Sequence, residues 1–214
     1  MKNRIVLLGP PASGKGTQVE LIQRRFKIPA TSTGAILRYE AKSGTKIGLE
    51  AQEIVSHGGL APDALVLSLV ERWLNEVDGA FLFDGFPRTV EQAESFDTIL
   101  ERRNTPLQLA VFLDVSEETI RARMGRRLTC SVCGKVISVG RHVHDRSEPC
   151  PNCGGKLEAR ADDTDEALIR RLAAYREKSL PVADFYERRS ILAHVHGDRE
   201  AEAVFDEIAQ LIVG

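Results

Sequence analysis

Residues 4–18 read RIVLLGPPASGKGTQ, and the switch inside this stretch decides the fold. Ile5 to Leu8 is a continuous apolar run, as expected of a strand buried on both faces of a parallel sheet. It stops at Gly9. From Gly14 the pattern changes to a helical period, with Val19, Leu21, Ile22 and Phe26 on one side. Between strand and helix lies Gly9-Pro10-Pro11-Ala12-Ser13-Gly14-Lys15-Gly16-Thr17. Its glycines let backbone N–H groups turn inward around a phosphate, and the helix N-terminus adds partial positive charge. Lys15 reaches the outer phosphates of such a ligand. A glycine-rich turn with a chance lysine is the plainer alternative, and the strand–loop–helix context argues against it.

Further along, AFLFD (80–84), LAVFLD (109–114) and ILAHVH (191–196) are three more buried-strand runs, with helical segments between them. Strands alternating with helices give an α/β parallel sheet. Thr89 and Gln92 have capping-box spacing, as do Asp163 and Glu166, which is expected to open a helix running to about Tyr186. Pro181 is expected to kink or end that helix. Residues 33–61 read as a pair of short helices with no strand. Residues 128–158 are rich in Cys, Gly and polar residues and have no helical period. Both read as insertions over the carboxyl edge of the sheet, where open α/β sheets bind ligands.

The bulk numbers exclude several classes. At 214 residues there is room for one large domain with insertions. A net charge of -2 is not that of a broad nucleic-acid-binding surface. No apolar run is long enough to span a membrane, and the start has no signal-peptide pattern, so a cytoplasmic protein is expected. In that compartment paired cysteines point to a metal before disulfides. Cys130, Cys133, Cys150 and Cys153 form two C-x2-C pairs with 16 residues between them. The spacing is that of a closed structural zinc site of four thiolates. Residues 128–159 hold four Lys or Arg against three Asp or Glu, and no Phe, Tyr or Trp, so a nucleic-acid clip is disfavoured. A redox role for the C-x2-C pairs is the other alternative. His142 and His144 are candidate substitute ligands, read more simply as loop histidines.

FLFDGFPRTVEQ (81–92) is the most specific segment. A buried strand delivers Asp84 to the sheet edge, and Gly85 and Pro87 shape a rigid turn from which Arg88 projects. Arginine suits bidentate phosphate recognition. Gln92 offers a donor and an acceptor, which suits the edge of a nucleotide base, although it can equally cap the helix. Gly16 stands where many such loops place a Ser or Thr on magnesium, with Thr17 one residue later. Magnesium is then expected to rely on the nucleotide, on water and on Asp84, whose plainer role is an ion pair with Lys15.

Taken together, GPPASGKGTQ, STGAILR, FLFDGFPRTVEQ, RARMGRR, RADD and LIRRLAAY resemble adenylate kinase, and the cysteine clip resembles the long-lid bacterial form of that family. The resemblance implies a P-loop three-layer α/β sandwich with a central parallel sheet, a helical AMP-binding insertion and a zinc-ribbon lid. The implied division is a core of residues 1–31, 62–126 and 164–214, an AMP-binding insertion of 32–61 and a lid of 127–163. The implied reaction is ATP + AMP = 2 ADP, with Mg2+ accompanying ATP, structural Zn2+, no nucleic-acid or membrane partner, and a monomeric state.

Residue by residue, the resemblance gives ATP to Gly9, Ala12, Ser13, Gly14, Lys15, Gly16, Thr17, Arg123, Arg126, Val136, Ile137 and Arg199. It gives AMP to Thr33, Arg38, Gly59, Leu60, Ala61, Gly85, Phe86, Pro87, Arg88, Gln92, Arg160 and Arg171. Lys15, Arg88, Arg123, Arg126, Arg160 and Arg171 are implied at the transfer point, Asp84 at magnesium through water, and Asp162 and Asp163 in lid closure. Such a reaction runs through a loose transition state with spread charge, which accounts for many arginines and no evident base.

Three features depart from the family pattern. Ala35 follows Gly34 where Asp is usual. The segment between Arg123 and Gly125 is one residue short, so Arg121 is an alternative to Arg123. In the lid, Ile137 and Ser138 replace an aromatic residue and His. Transfer to CMP, UMP or GMP, or from GTP, is the neighbouring reading. A P-loop and zinc-ribbon module that binds nucleic acid is the distant one.

Overall fold

A computed structural model describes residues 1–45, 48–49, 61–159 and 164–214. Five parallel strands form the central sheet: β1 (Arg4–Leu8), β2 (Ala30–Ser32), β3 (Phe81–Asp84), β4 (Leu109–Asp114) and β8 (Leu192–His196), in the order β2-β3-β1-β4-β8. The four runs read from sequence supply four of these. The fifth, β2, is three residues long, half-buried and at the edge, so it carries no apolar run to read. The helices are α1 (Lys15–Phe26), α2 (Thr33–Lys42), α3 (Asp63–Leu74), α4 (Val90–Arg102), α5 (Glu117–Gly125), α6 (Asp165–Ala174) and α7 (Pro181–Glu187) between strands, and α8 (Ala201–Val213) after the last one.

Strand alternation builds the three layers. Val6, Leu8, Phe81, Phe83, Ala110 and Phe112 face one side and pack with residues of α3, α4 and α7. Ile5, Leu7, Leu82, Leu109, Val111 and Leu113 face the other, toward α1 and α8. Both faces of β1, β3 and β4 are covered, so the interiors of these three strands are apolar throughout. Phe83 and Phe96 meet edge to face at 5.5 Å, and Phe86 and Phe96 at 5.0 Å. Phe86 anchors in this cluster the turn that carries Arg88 two residues later.

The 165–187 segment differs from expectation. Thr164 caps α6, accepting from Ala167 N at 3.2 Å, so the helix opens at Asp165 and not on an Asp163 cap. A π-helical turn (Tyr175–Ser179) then joins α6 to α7, and Pro181 sits at the first turn of α7, where its missing N–H costs nothing. Residues 127–158 hold an antiparallel sheet of β5 (Arg127–Cys130), β6 (Val136–Ser138) and β7 (Leu157–Glu158), ordered β6-β5-β7. Its strands are two to four residues long, too short for an alternation to register in sequence. Lys135 and Glu20 (3.7 Å) and Arg141 and Glu202 (3.1 Å) link this unit to α1 and α8. Among the described residues no helix is long and apolar enough to cross a membrane.

Candidate active site

The loop after β1 is held against the end of β4. Gly9 has φ 139°, and a Cβ on it would stand 2.9 Å from the carbonyl oxygen of Leu113. Only glycine fits there. Lys15, at the first turn of α1, curls back into the loop. Its Nζ donates to the carbonyls of Gly9 (2.9 Å) and Pro10 (2.8 Å) and to Ser13 Oγ (3.1 Å). Burial is the main cause that lowers its pKa to about 8, partly opposed by Asp84. The lysine thus fills the inside of the phosphate loop with a cation that the loop's own carbonyls hold.

Asp84 ends β3 beside this loop. Its Oδ2 lies 3.6 Å from where a Cβ on Gly16 would stand. The carboxylate therefore faces the position at which other loops carry a hydroxyl residue. Burial raises the pKa of Asp84, against the opposing pull of Lys15, Arg88 and Arg38. Arg88 follows one turn later. Its Nε donates to Gly85 O at 2.8 Å, and its own carbonyl accepts from Ser179 Oγ at 3.0 Å. A Cβ on Gly85 would lie 3.5 Å from Lys15 Cε and 3.7 Å from Arg88 Nη2, so lysine and arginine flank one glycine. Burial also lowers the pKa of Arg88, an effect opposed by Asp84.

The arginine question raised by the short 123–125 segment has a clear geometric answer. Arg123 Nη1 donates to Ser13 O at 2.8 Å and Nη2 to Gly197 O at 2.7 Å. Arg121 instead pairs with Glu117 at 2.8 Å on the exposed face of α5. Arg123 therefore reaches the phosphate loop and Arg121 points elsewhere. Arg171 and Arg127 both lie close enough to depress the Lys15 pKa. Arg127 was not singled out from sequence, and the adjacent exposed Arg126 was. Two consecutive arginines at a helix end cannot be ordered by inspection, because the start of β5 decides which one turns inward. Arg38 lies over Gly34, with Nη1 3.1 Å from the position of a Cβ there.

Gln92 is held from two sides. Its Oε1 accepts from Arg88 N at 2.8 Å, and its Nε2 donates to Asp63 Oδ1 at 2.6 Å. Thr89 caps α4, accepting from Gln92 N at 3.1 Å and donating to Asp63 Oδ2 at 3.0 Å. The capping box is therefore half made: the Thr89 cap forms, but the Gln92 side chain serves Arg88 N–H and not that of Thr89. Asp63 has no motif around it and was not read from sequence.

Far from these groups in sequence, the four cysteines converge. The sulfurs of Cys130, Cys133, Cys150 and Cys153 all lie within 4.8 Å of one another. Cys130 and Cys153 are 3.4 Å apart, and Cys133 and Cys150 are 3.8 Å apart. A zinc–thiolate tetrahedron places sulfurs about 3.8 Å apart, so donor set and spacing fit that ion. Gly134 N and Gly154 N each donate back to the first cysteine carbonyl of their pair, at 2.9 and 2.8 Å, giving two matching turns. The backbone N–H of Lys135 is the main cause lowering the Cys133 thiol to about 6. His142 is not part of the cluster, since its Nδ1 accepts from Ser138 N at 2.9 Å.

Comparison with known proteins agrees with this geometry. The adenylate kinase family model matches residues 7–191. The chain is 38% identical over 210 residues to an adenylate kinase of Clostridium tetani, covering 97% of each chain. The chain belongs to the adenylate kinase family. It is 36% identical over 210 residues to the adenylate kinase of Methanothrix thermoacetophila, again over 97% of each. With that of Gloeobacter violaceus it shares 39% over 215 residues and 98% of each. Membership makes the chain an enzyme, a nucleotide kinase.

The other positions expected from sequence at the site fare differently. Thr33 is buried at the start of α2, and Ala35 N donates to Ser32 Oγ at 3.0 Å, an ordinary helix cap. Phe86 is 0% exposed and Ile137 is 1% exposed, each inside an apolar cluster, so only their backbone is available to a ligand. Ala61 is also buried, whereas Val136 is exposed. Arg199 turns away, donating to His196 O at 2.9 Å and pairing with Glu207. Gly59, Leu60, Arg160, Asp162 and Asp163 lie outside the described residues.

Proposed function

We propose that the chain catalyses ATP + AMP = 2 ADP by bringing two anionic phosphates together over a fixed set of cations. An oxygen of the AMP phosphate attacks the γ-phosphorus of ATP. The bond from that phosphorus to the β,γ-bridging oxygen breaks, and ADP leaves. The acceptor needs no general base, because a phosphate monoester is largely ionised at neutral pH, its second pKa being about 6. What it needs is charge neutralisation and alignment.

Lys15 and the loop N–H groups take the ATP phosphates, with Arg123 fixing the loop. Arg88 and Arg38 take the AMP phosphate, and Arg171 and Arg127 line the space between. Arg126 at the end of the core and Arg160 of the lid are proposed to join them. Asp84 is the residue that would hold hydrated Mg2+ through water, and the ion would supply charge neutralisation to the ATP phosphates when bound. Gln92 and Thr33 take the adenine of AMP. Residues 32–61 and 127–163 are proposed to close over AMP and ATP and exclude water, with Zn2+ on the four cysteines stiffening the latter. A monomer free in the cytoplasm, with no nucleic-acid or membrane partner, completes the reading.

One observation carries this proposal: Lys15 of the donor loop and Arg88 of the following turn stand on either side of Gly85. Two phosphate grips that close suit transfer between two phosphates, not simple hydrolysis. The test mixes the purified protein with magnesium–ATP and each of AMP, CMP, UMP and GMP and follows diphosphate formation. ADP formation with AMP alone is expected. Faster turnover with another acceptor removes the adenine assignment, and no transfer to any acceptor removes the kinase reading.

A further inference from the structure

Asp63, at the start of α3, decides which way the Gln92 amide faces. An ionised carboxylate only accepts hydrogen bonds, so the Gln92 atom 2.6 Å from Asp63 Oδ1 must be the nitrogen. On the other side, the backbone N–H of Arg88 only donates, so the atom 2.8 Å away must be the oxygen. Both constraints select one orientation. Turning the amide over would set oxygen against carboxylate and NH2 against N–H. Thr89 steadies the carboxylate by donating to Oδ2 at 3.0 Å. Gln92 is 2% exposed, so water does not soften that clash.

Among the described residues each amide atom retains one capacity: the second N–H on Nε2 and a second lone pair on Oε1. Their order is fixed. The pair presents an acceptor and a donor that match the 6-amino group and N1 of adenine. Hypoxanthine and guanine carry the reverse arrangement, O6 as acceptor and N1–H as donor. To bind them, Gln92 must flip.

We propose that Asp63 is a positioning and specificity-determining residue, which by locking the Gln92 amide makes the acceptor site select a 6-amino purine over a 6-oxo purine. This rests on Gln92 meeting the base of the acceptor nucleotide. A protein of this kind rejects inosine monophosphate through the energy of the lock, not through pocket size.

The experiment compares kcat/KM for AMP and inosine monophosphate, which differ at the 6-position and N1 and lack the 2-amino group that complicates GMP. It uses the full chain, the Asp63→Asn variant and the Asp63→Glu variant. Asparagine can face Gln92 with either its oxygen or its nitrogen, so the lock is released on one side while Arg88 N–H still holds the other. The AMP-to-inosine-monophosphate ratio is expected to fall about tenfold in Asp63→Asn, the scale of one hydrogen bond to a charged group. Glutamate only accepts, so Asp63→Glu should keep the ratio even where AMP efficiency drops with altered packing. Should the asparagine variant not fold, the glutamate variant decides: a kept ratio supports the lock, a collapsed one overturns it. A ratio unchanged in Asp63→Asn while both efficiencies fall together overturns it too. So does a full chain that uses both acceptors equally well, an outcome that leaves the kinase reading standing. A chain inactive with AMP removes that reading itself.

Discussion

Arg123 Nη1 donates to the backbone carbonyl of Ser13 at 2.8 Å, tying the end of α5 to the middle of the phosphate loop. Its other terminal nitrogen reaches Gly197 O, so one guanidinium joins the loops after β1 and β8. Lysine cannot make both bonds from one planar fork. Arg123→Lys is expected to lower kcat/KM for ATP by about a hundredfold, the cost of misplacing one preorganised group. Arg121→Ala should stay within about twofold, since an exposed pair with Glu117 contributes little. Steady-state kinetics of both variants check this, and equal losses would show that the short 123–125 segment does not set the geometry.

Lys15 makes binding depend on pH. Its pKa of about 8 means the free loop loses the cation near that pH. A lysine lowered on folding binds fewer protons folded than unfolded between about pH 8 and its ordinary value near 10.4. Its burial penalty is therefore complete below pH 8 and relieved as pH rises through that window. ATP phosphates pull the proton back. Binding at about pH 8.5 should take up roughly half a proton or more per ATP. Calorimetry in buffers of different ionisation enthalpy reads this directly. Lys15→Met should abolish the uptake and most of the activity without lowering the melting temperature.

Much of this was legible from residue order, for physical reasons. Three strands are apolar on both faces, so IVLL, FLF and LAVFL announce them; β8 is legible from ILAHVH although its two histidines are exposed, and β2 is short and half-buried, so nothing announces it. Lys15, Asp84 and Arg88 sit at strand ends or one turn beyond, where chain order nearly determines position. Asp63 meets Gln92 across 29 residues, a contact that only helix packing creates. The choice of Arg127 over Arg126 likewise depends on how β5 starts. Phe86 and Ile137 show the converse: at a motif position the side chain can belong to the core.

His194 on β8 supplies a pH effect away from the site. Its Nδ1 meets Asp114 Oδ2 at 2.9 Å and its Nε2 lies 3.5 Å from Glu187 Oε2, joining β8 to β4 and α7. The hydrogen bond to Asp114, with further support from Glu187, raises its pKa above the ordinary value. A histidine raised on folding contributes stability that is complete below about pH 6.5 and lost as pH climbs through the folded value. His194→Gln should therefore melt below the natural protein at about pH 6 and approach it at about pH 8. A gap of constant size across that range would mean the ring acts by packing, for example against Phe112, and not by charge.

Among the described residues the lid's apolar core is Leu128, Cys130, Ile137, Val143, Cys150 and Leu157, with Val139 against it, far too little to fold three strands of two to four residues. Four thiolates at zinc spacing offer what that core lacks. The purified protein should carry one zinc per chain by elemental analysis. Cys133→Ser, or a strong chelator, should open residues 128–158 to protease while the sheet of β1, β3 and β4 stays protected. Loss of lid order should also raise the KM for ATP more than that for AMP. The melting transition should broaden or drop by about 5 °C or more, since 1 kcal/mol moves a chain of this size by about 2–4 °C. A metal-free protein with an intact, protease-resistant lid and unchanged KM would show that the cysteines hold the turns through Gly134 and Gly154 alone.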